Sequence, residues 1–439
     1  MSPKKKKVEE LNKDSESEGK ERYQTVRGMH DILPREEAYW KTIREIGYEI
    51  SELHDFSFIE TPILEPAGLF EEGIGEATDI VEKEMFSFKT RGGEVVVLRP
   101  EGTAPVMRSY IQNHLGHFAS PLRVFYEGPM FRYERPQAGR YRQFHQWGFE
   151  IIGDGDPFYD VQIILVTINF LTALGIKGLK LKINTVGCRV CRPTYRKRLL
   201  QYYKTEKRGM CKDCIRRYDK NPLRLLDCKE KECEEIRKGA PIILDNLCQN
   251  CNAHFKETLE LVESNNIDYE PNPHLVRGLD YYSRTVFEIA SEGNPKLALA
   301  GGGRYDYLGE ILGGRMIPAV GVSLGLERII EYMKKENIAP RKRERKNVFF
   351  VAVGDEAKKR SLRLINTMRL ASIRVLESVG KQSIKNQLRS ADKTKSKLAL
   401  ILGQRECFED SIILRNMESG EQETIPIEKM IEEIKKRLR

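Results

Sequence analysis

The chain has 439 residues, with 74 Lys and Arg against 65 Asp and Glu for a formal net charge of +9, and 40% of its residues are hydrophobic. That length supplies two or three cores, and a mean hydropathy of −0.51 suits a protein that folds in water. No apolar run reaches the ~20 residues of a membrane helix and no apolar secretory core is seen in the first residues, which sets the expectation of a cytoplasmic protein. The charge is uneven: from Arg345 to Arg439 there are 21 Lys and Arg against 13 Asp and Glu, so a net +8 sits in the tail. Counterion release from phosphates makes such a surface a nucleic-acid binder, although a basic excess also serves plain solubility.

In chain order, residues 1–24 are polar and Lys/Glu/Ser-rich, too poor in apolar side chains to offset their ordering entropy, and read as a disordered extension whose Lys4–Lys7 run is a basic tether. From Trp40 the apolar residues Ile43, Ile46, Gly47, Ile50 and Leu53 keep helical spacing, which predicts a helix with one buried stripe. A short strand through Phe56, Phe58 and Ile59 ends at Pro62, because proline removes a ladder donor. Glu94–Arg99 reads as a buried strand, and Pro100–Pro105 as a turn into a helix. Further strand runs at Arg123–Tyr126, Phe144–Ile152, Thr285–Ala290 and Ala319–Ser323 predict a largely antiparallel sheet flanked by helices, an α+β fold and not a βαβ repeat.

Residues 186–265 change texture, being rich in Lys, Arg and Cys with helical periodicity in Tyr195–Tyr203 and Ala253–Val262, and read as an inserted helical domain. After a charged linker at 341–346, residues 347–439 alternate strand (Val348–Val353), helix, strand (Ile373–Val375), helix and strand (Leu398–Leu402), the order of a small α/β domain with a mixed or parallel sheet.

Eight of the nine cysteines fall in the insertion as the pairs Cys188/Cys191, Cys211/Cys214, Cys228/Cys233 and Cys248/Cys251. In a reducing compartment, thiolates at Cys-x2-Cys spacing share a tetrahedral zinc sooner than they form disulfides, so eight thiols allow up to two structural Zn²⁺ sites; the Cys-x4-Cys pair is the looser one, and His254 is a weaker alternative ligand.

The most informative stretch is Phe131–Pro136 with Arg140–Gln146, which reads as a strand-loop-strand hairpin bearing cations, acceptors and rings. Period-two alternation puts Arg132 with Glu134, and Phe144 with Gln146, Gly148 and Glu150. Guanidinium forks match phosphate oxygens in pairs, so the hairpin suits a nucleotide; the competing reading is an exposed hairpin laced with surface ion pairs.

That hairpin resembles motif 2 of the class II aminoacyl-tRNA synthetases, Leu53–Pro66 resembles motif 1, and Pro318–Arg328 resembles motif 3. Leu275-Val-Arg-Gly-Leu-Asp-Tyr-Tyr282 and Ala300-Gly-Gly-Gly-Arg-Tyr-Asp306 resemble the two histidine-specific signatures of histidyl-tRNA synthetases, with Leu98-Arg-Pro-Glu-Gly-Thr103 upstream; the matches run in order from about Val26 to the C-terminus. The resemblance implies a class II catalytic domain over 25–340 interrupted by the insertion, an anticodon-binding domain in the tail, a homodimer formed through motif 1, and a two-step reaction. ATP and histidine give histidyl-adenylate and pyrophosphate, and histidine tRNA then takes the histidyl group.

It further implies roles for single residues. Arg132 and Arg277 bracket the α-phosphate, Arg277 standing where other class II enzymes place a metal, with Gln146 the third catalytic residue and Mg²⁺ accompanying ATP. Phe144 and Arg328 sandwich the adenine, with Glu134 at its edge and Arg140 at the γ-phosphate. Glu101, Gly102, Thr103 and Gln146 surround the α-amino group of histidine, while Glu150, Tyr282 and Tyr305 hold its imidazole and Tyr281 lines the pocket. Loop Arg135–Tyr141 meets the acceptor end of the tRNA, reading its extra 5′ guanylate, and Lys381, Lys385 and Arg389 are candidate phosphate contacts. The nearest rival is the synthetase-like regulatory subunit of ATP phosphoribosyltransferase, which ends without the tail and with degraded signatures. A second is a cysteine-rich nucleic-acid-binding protein without catalysis.

Overall fold

The computed structural model describes residues 23–438 apart from 76–77, 137–138, 342–346 and 379–382, and leaves aside the side chains of 295–296. Nearly all of the polar extension, the linker after Arg341, the tip of the hairpin loop and Lys381 therefore lie outside the described residues. The chain divides after Arg341 into two compact units.

The first unit carries, in chain order, β1 (Ser57–Phe58), β2 (Leu64–Pro66), β3 (Phe86–Lys89), β4 (Val95–Leu98), β5 (Leu122–Phe131), β6 (Gln143–Ile152), β7 (Leu179–Thr185), β8 (Tyr269–Pro271), β9 (Ser283–Ser291), β10 (Asn294–Arg304) and β11 (Ala319–Gly325). Eight form one sheet in the order β1-β5-β6-β11-β10-β9-β7-β8, antiparallel throughout except at its two edges, where β1 and β8 run parallel to their neighbours. The expected α+β architecture is the one observed.

Alternation divides this sheet into two chemically different faces. Trp147, Phe149 and Ile151 of β6, Val320, Val322 and Leu324 of β11, and Phe287 and Ile289 of β9 share one apolar core with Ile43 and Ile46 of helix Glu37–Leu53, Phe170 of helix Pro157–Ala173, Phe255 of helix Gln249–Ser264 and Ile329 of helix Leu326–Lys335. The second of these helices starts cleanly: Asp156 accepts the Phe158 N–H at 2.8 Å, and Pro157 fills a first-turn position that needs no donor.

Three expectations need correction. The buried stripe of the first helix ends early, Leu53 being 79% exposed. Glu94–Arg99 is not buried throughout: β4 is the middle strand of a separate sheet, β2-β4-β3, and on the face that carries both Val95 and Val97 only Val97, flanked by strands on both sides, is buried, while Val95 at the strand's start pairs with β3 alone and stays exposed. The ladder of β5 stops at Phe131, so Arg132 and Glu134 lie beyond the strand and alternation does not bring them together.

The second unit is a five-stranded sheet of β12 (Val348–Ala352), β13 (Val375–Glu377), β14 (Leu398–Leu402), β15 (Ser411–Asn416) and β16 (Gln422–Pro426), ordered β13-β12-β14-β15-β16. The first three are parallel and the last two antiparallel, a mixed sheet. Helices Asp355–Leu370 and Met430–Leu438 cover one face through Leu364, Ile365 and Ile434, and helix Ile384–Lys393 covers the other through Ala391.

Gly47 shows how tightly the first core is packed. Alanine there gains about 1 kcal/mol of helix propensity, but its Cβ would sit 2.5 Å from a ring carbon of the fully buried Trp147, and overpacking costs about 1–3 kcal/mol. Gly47→Ala is expected to lower the midpoint of thermal unfolding, whereas Gly68→Ala, with nothing nearer than 3.8 Å, raises it slightly. Calorimetry on the two variants measures both signs.

Candidate active site

The second face of the large sheet is the floor of a trough. In register, Glu150 of β6 faces Gly321 of β11, which faces Gly303 of β10; one step along, Gly148, Ser323, Gly301 and Glu288 line up across β6, β11, β10 and β9. Glycine is required where functional side chains lie flat on the sheet. A Cβ on Gly321 would fall 1.5 Å from a Glu150 carboxylate oxygen, one on Gly148 2.1 Å from the Tyr126 ring, and one on Gly301 2.4 Å from the Arg277 guanidinium.

Arg132 and Arg277, expected to converge, line one cavity of about 170 Å³ together with Glu134, Arg140, Phe144, Gln146, Glu288, Ser323 and Arg328. Arg132 donates its Nε–H to the Pro100 carbonyl at 2.8 Å, lies 3.9 Å from Glu134 and sits over the Phe144 ring at 5.3 Å. Arg277 pairs with Glu288. Arg140 reaches Glu134 at 3.3 Å, and Arg328 donates to the Gly139 carbonyl at 2.9 Å. Burial first, and then the charges of Arg140, Arg132 and Arg277, push the Arg328 guanidinium below its ordinary value. Four guanidiniums against the three carboxylates of Glu134, Glu288 and Glu327 leave an excess of positive charge, which an anion relieves.

This cavity is smaller than the roughly 300–1,000 Å³ of a typical ligand site. Arg132, Glu134, Arg140 and Arg328 also line an adjoining cleft of about 660 Å³ that reaches Asp79, Glu84 and the insertion at Arg217 and Arg224. Together they have room for a nucleotide with its phosphates. Glu84 lies in the same cleft, and burial, reinforced by the charge of Glu134, raises its carboxyl above the usual range.

Deeper along the trough the polar groups are paired among themselves. The Thr103 hydroxyl donates to Glu150 at 2.7 Å and the Tyr305 hydroxyl donates to its other oxygen at 2.5 Å. The Glu150 carboxyl is fully buried, and burial pushes it up to about 8. Glu101 is likewise raised by burial; its carboxylate caps the helix that begins at Thr103, accepting the N–H groups of Thr103 and Ala104 at 2.8 Å each, and takes the Tyr281 hydroxyl at 3.3 Å. Gly102, between them, has no room for a side chain because Tyr126 lies 2.3 Å from the Cβ position. Tyr281 packs against Tyr282 and Tyr305, with ring centroids 4.8 and 5.8 Å apart. Gln146 stands where the two regions meet, 8% exposed, its Oε1 without a partner.

All the residues anticipated from the motifs thus lie in or behind one trough. Glu288, Tyr126 and Ser323 were not anticipated. Glu288 left a trace in the sequence, a lone acid in the apolar run Thr285–Ala290; Tyr126 and Ser323, joined at 3.1 Å, left none.

The cysteines gather into two groups, Cys188 with Cys191, Cys248 and Cys251, and Cys211 with Cys214, Cys228 and Cys233, the sulfurs of each lying within 4.8 Å of one another. Contacts of 3.7 Å between Cys188 and Cys191, and 3.8 Å for Cys188 with Cys248 and for Cys211 with Cys228, match the ~3.8 Å edge of a tetrahedron with Zn–S bonds of ~2.3 Å. They are far longer than a disulfide. Backbone N–H groups of Val190, Cys211, Cys214 and Cys248 point at sulfurs, which favours thiolates. His254 joins neither group: its ring faces Asp160 at 3.8 Å, and burial with Arg304 and Arg284 holds it down to about 3.

Comparison with known proteins agrees with this geometry. A profile described as histidyl-tRNA synthetase matches residues 28–329, and one described as anticodon binding domain matches 347–437. A histidine–tRNA ligase of Natranaerobius thermophilus is 42% identical over 93% of this chain and 98% of its own, and one of Dehalococcoides mccartyi is 44% identical over 95% and 100%. The crystal structure of the apo histidyl-tRNA synthetase of S. aureus superposes with a TM-score of 0.79 at 32% identity, covering 94% of this chain and all of that one. A Bacillus halodurans structure titled as an ATP phosphoribosyltransferase regulatory subunit/histidyl-tRNA synthetase shares the fold at 22% identity and a TM-score of 0.61. The chain belongs to the histidyl-tRNA synthetase family.

Proposed function

We propose that this chain activates histidine with ATP and transfers it to the 3′ end of histidine tRNA for cytoplasmic translation. The observation that carries the reading is the cavity shared by Arg132 and Arg277 beside the unpaired Gln146 acceptor. As the carboxylate of histidine attacks the α-phosphorus and pyrophosphate leaves, charge grows on the α-phosphate oxygens. Guanidiniums already fixed by Pro100 and Glu288 stabilise that charge without reorganising. Phe144 and Arg328 take the adenine, with Glu134 at its edge and Arg140 at the γ-phosphate. Glu84, which lines the adjoining cleft, would help to hold the Mg²⁺ that accompanies the phosphates, which when bound would neutralise the departing pyrophosphate.

Gln146 Oε1 accepts from the α-ammonium group. Thr103 keeps acceptor capacity on its oxygen, and Glu101, with three accepted bonds, keeps one acceptor position on the oxygen that takes only the Ala104 N–H. Glu150, Tyr282 and Tyr305 complement the donor and the acceptor of an imidazole, and a site that pairs both rejects side chains lacking them by large factors. The tail unit, the domain type that binds anticodons, reads the tRNA, and loop Arg135–Tyr141 meets its acceptor end. Helix Glu37–Leu53 with β1 forms a homodimer contact, for which exposed Tyr48, Leu53, Phe58, Ile63 and Leu64 supply the apolar surface. Each cysteine group holds one structural Zn²⁺.

The regulatory-subunit reading is weaker, because both signatures are intact in the trough and the tail unit is present. ATP–pyrophosphate exchange across a panel of amino acids is expected with histidine alone; absence of exchange, or exchange with another amino acid, refutes the assignment. Arg277→Ala should lower the exchange rate about 10²- to 10³-fold while the unfolding midpoint stays near that of the parent.

Glu150 predicts a pH effect on stability. Its carboxyl is held at about 8, against 4.5 when unshifted. The folded chain therefore binds this proton more tightly than the unfolded chain does. The resulting stabilisation is complete below the lower value, erodes as pH rises toward the upper one and is gone above it. Glu150→Gln has no such term, so its unfolding midpoint should gain on that of the parent from about pH 5 to about pH 8 and then level off. A gap that stays constant in thermal-shift measurements would contradict the burial of an ionisable group there.

A further inference from the structure

Building on the zinc reading above, we infer that the two four-cysteine centres act as positioning devices for the catalytic segment Leu275–Tyr282, gripping it from behind at two points. Neither centre lies on the floor of the trough, although Cys211 and Cys228 of the second border the adjoining cleft. Each is joined to the segment by side chains that the cysteines place.

The first centre works through Arg192. Cys191 opens helix Cys191–Thr205, and the next residue donates its Nε–H to the Val186 carbonyl at 3.1 Å and an Nη–H to the Tyr282 carbonyl. The turn that allows this is Gly187, at φ +65°, where a Cβ would lie 2.9 Å from that of Cys191. The other two sulfurs come from the far end of the insertion, with Cys248 preceding helix Gln249–Ser264. A metal here closes the neck and fixes the register of Arg192.

The second centre works through the stretch between Cys214 and Cys228. Asn221 donates to the Asp280 carboxylate at 2.6 Å, and Arg224 donates to the Gly278 carbonyl at 2.9 Å; these residues flank Arg277 on its C-terminal side. Arg217 and Arg224 also meet Asp79, at 2.5 and 3.1 Å. Helix Lys212–Lys220 buries one residue, Cys214, and helix Lys231–Lys238 buries one, Cys233. Around them Tyr203, Met210, Leu225 and Leu226 form a small apolar core into which Cys214, Cys228 and Cys233 also pack, and a metal on the four sulfurs adds the constraint that sets the register of both helices within it.

Packing secures only one side of the segment, where Leu275, Val276, Tyr281 and Tyr282 are buried in the core. Behind the catalytic segment lies a cavity of about 450 Å³ lined by Arg192, Asn221, Arg224, Arg277, Asp280 and Tyr282 among others. With open space on the other side, the tethers complete its placement, and loss of ~1 Å in the placement of a reacting group costs about 100-fold in rate.

The test uses the full chain. Metal analysis of the purified protein should give two zinc ions per chain, matching the two groups. Cys214→Ser should retain one, and should lower kcat for histidine-dependent exchange by about 10-fold or more with KM for ATP little changed. The double variant Asn221→Ala/Arg224→Gln should keep both ions yet show the same fall in kcat at unchanged KM, and this variant decides the matter if Cys214→Ser fails to fold. Cys407→Ser, on the second unit, should change neither zinc nor rate. Absence of zinc from the parent removes the reading underneath. Two zinc ions with full kcat in Asn221→Ala/Arg224→Gln leaves the zinc in place and overturns the positioning role.

Discussion

A carboxyl group with no exposure, Glu150, sets the terms for the rest of the catalytic unit. Taking a carboxylate out of water without partners costs far more than a fold of ordinary stability can bear, so it must be hydrogen-bonded, neutralised or both. Tyr305 and Thr103 supply the bonds and burial supplies the neutralisation. The room comes from Gly321 on the neighbouring strand, whose Cβ would occupy the place of the carboxylate itself. Tyr305 belongs to the second signature and Thr103 to the upstream stretch Leu98–Thr103, so a single buried acid ties together parts of the chain remote in sequence.

Period-two geometry spreads that constraint across the sheet. With Glu150 pointing into the trough, Gly148 and Gln146 must do so too, and Trp147, Phe149 and Ile151 must face the helices. A one-residue slip of β6 would bury Gln146 among aromatic rings and expose a tryptophan. The apolar core therefore fixes the register of the site: three large side chains, each contributing about 1.5–3 kcal/mol on burial, outweigh any local preference of the polar residues between them. The same logic reaches β9, where Phe287 and Ile289 anchor the core and leave Glu288 to hold Arg277.

How much of this was legible in the sequence depended on whether the cause was local. The shared face of Phe144, Gln146, Gly148 and Glu150 follows from strand alternation alone and is found as expected. Arg132 and Glu134 do line one cavity, but for a reason alternation does not contain: the chain has left the ladder at Phe131, and a bond to the Pro100 carbonyl, supplied by a distant turn, aims the guanidinium. The cysteine pairs could be read from spacing, whereas their partition could not, since one group joins residues some 60 positions apart through a returning helix. The hairpin of β15 and β16 went unseen partly because β16 buries only Ile425, too little apolar signal to mark a strand.

The insertion follows a different physics from the sheet that carries it. Helices Lys212–Lys220 and Lys231–Lys238 are charged on most of their surface and bury one residue apiece, a cysteine, so the small core they share with Tyr203, Leu225 and Leu226 offsets only part of the entropy of ordering them. Ion pairs of Arg216, Arg217 and Lys220 with Asp79 and Glu82 are largely surface contacts, each worth about 0–1 kcal/mol. Their sum is insufficient for a segment that must hold the backbone of Gly278 in place. Four sulfurs at the edge length of a zinc tetrahedron would, with the proposed metal, add free energy on the required scale beside Gly278 and Arg277.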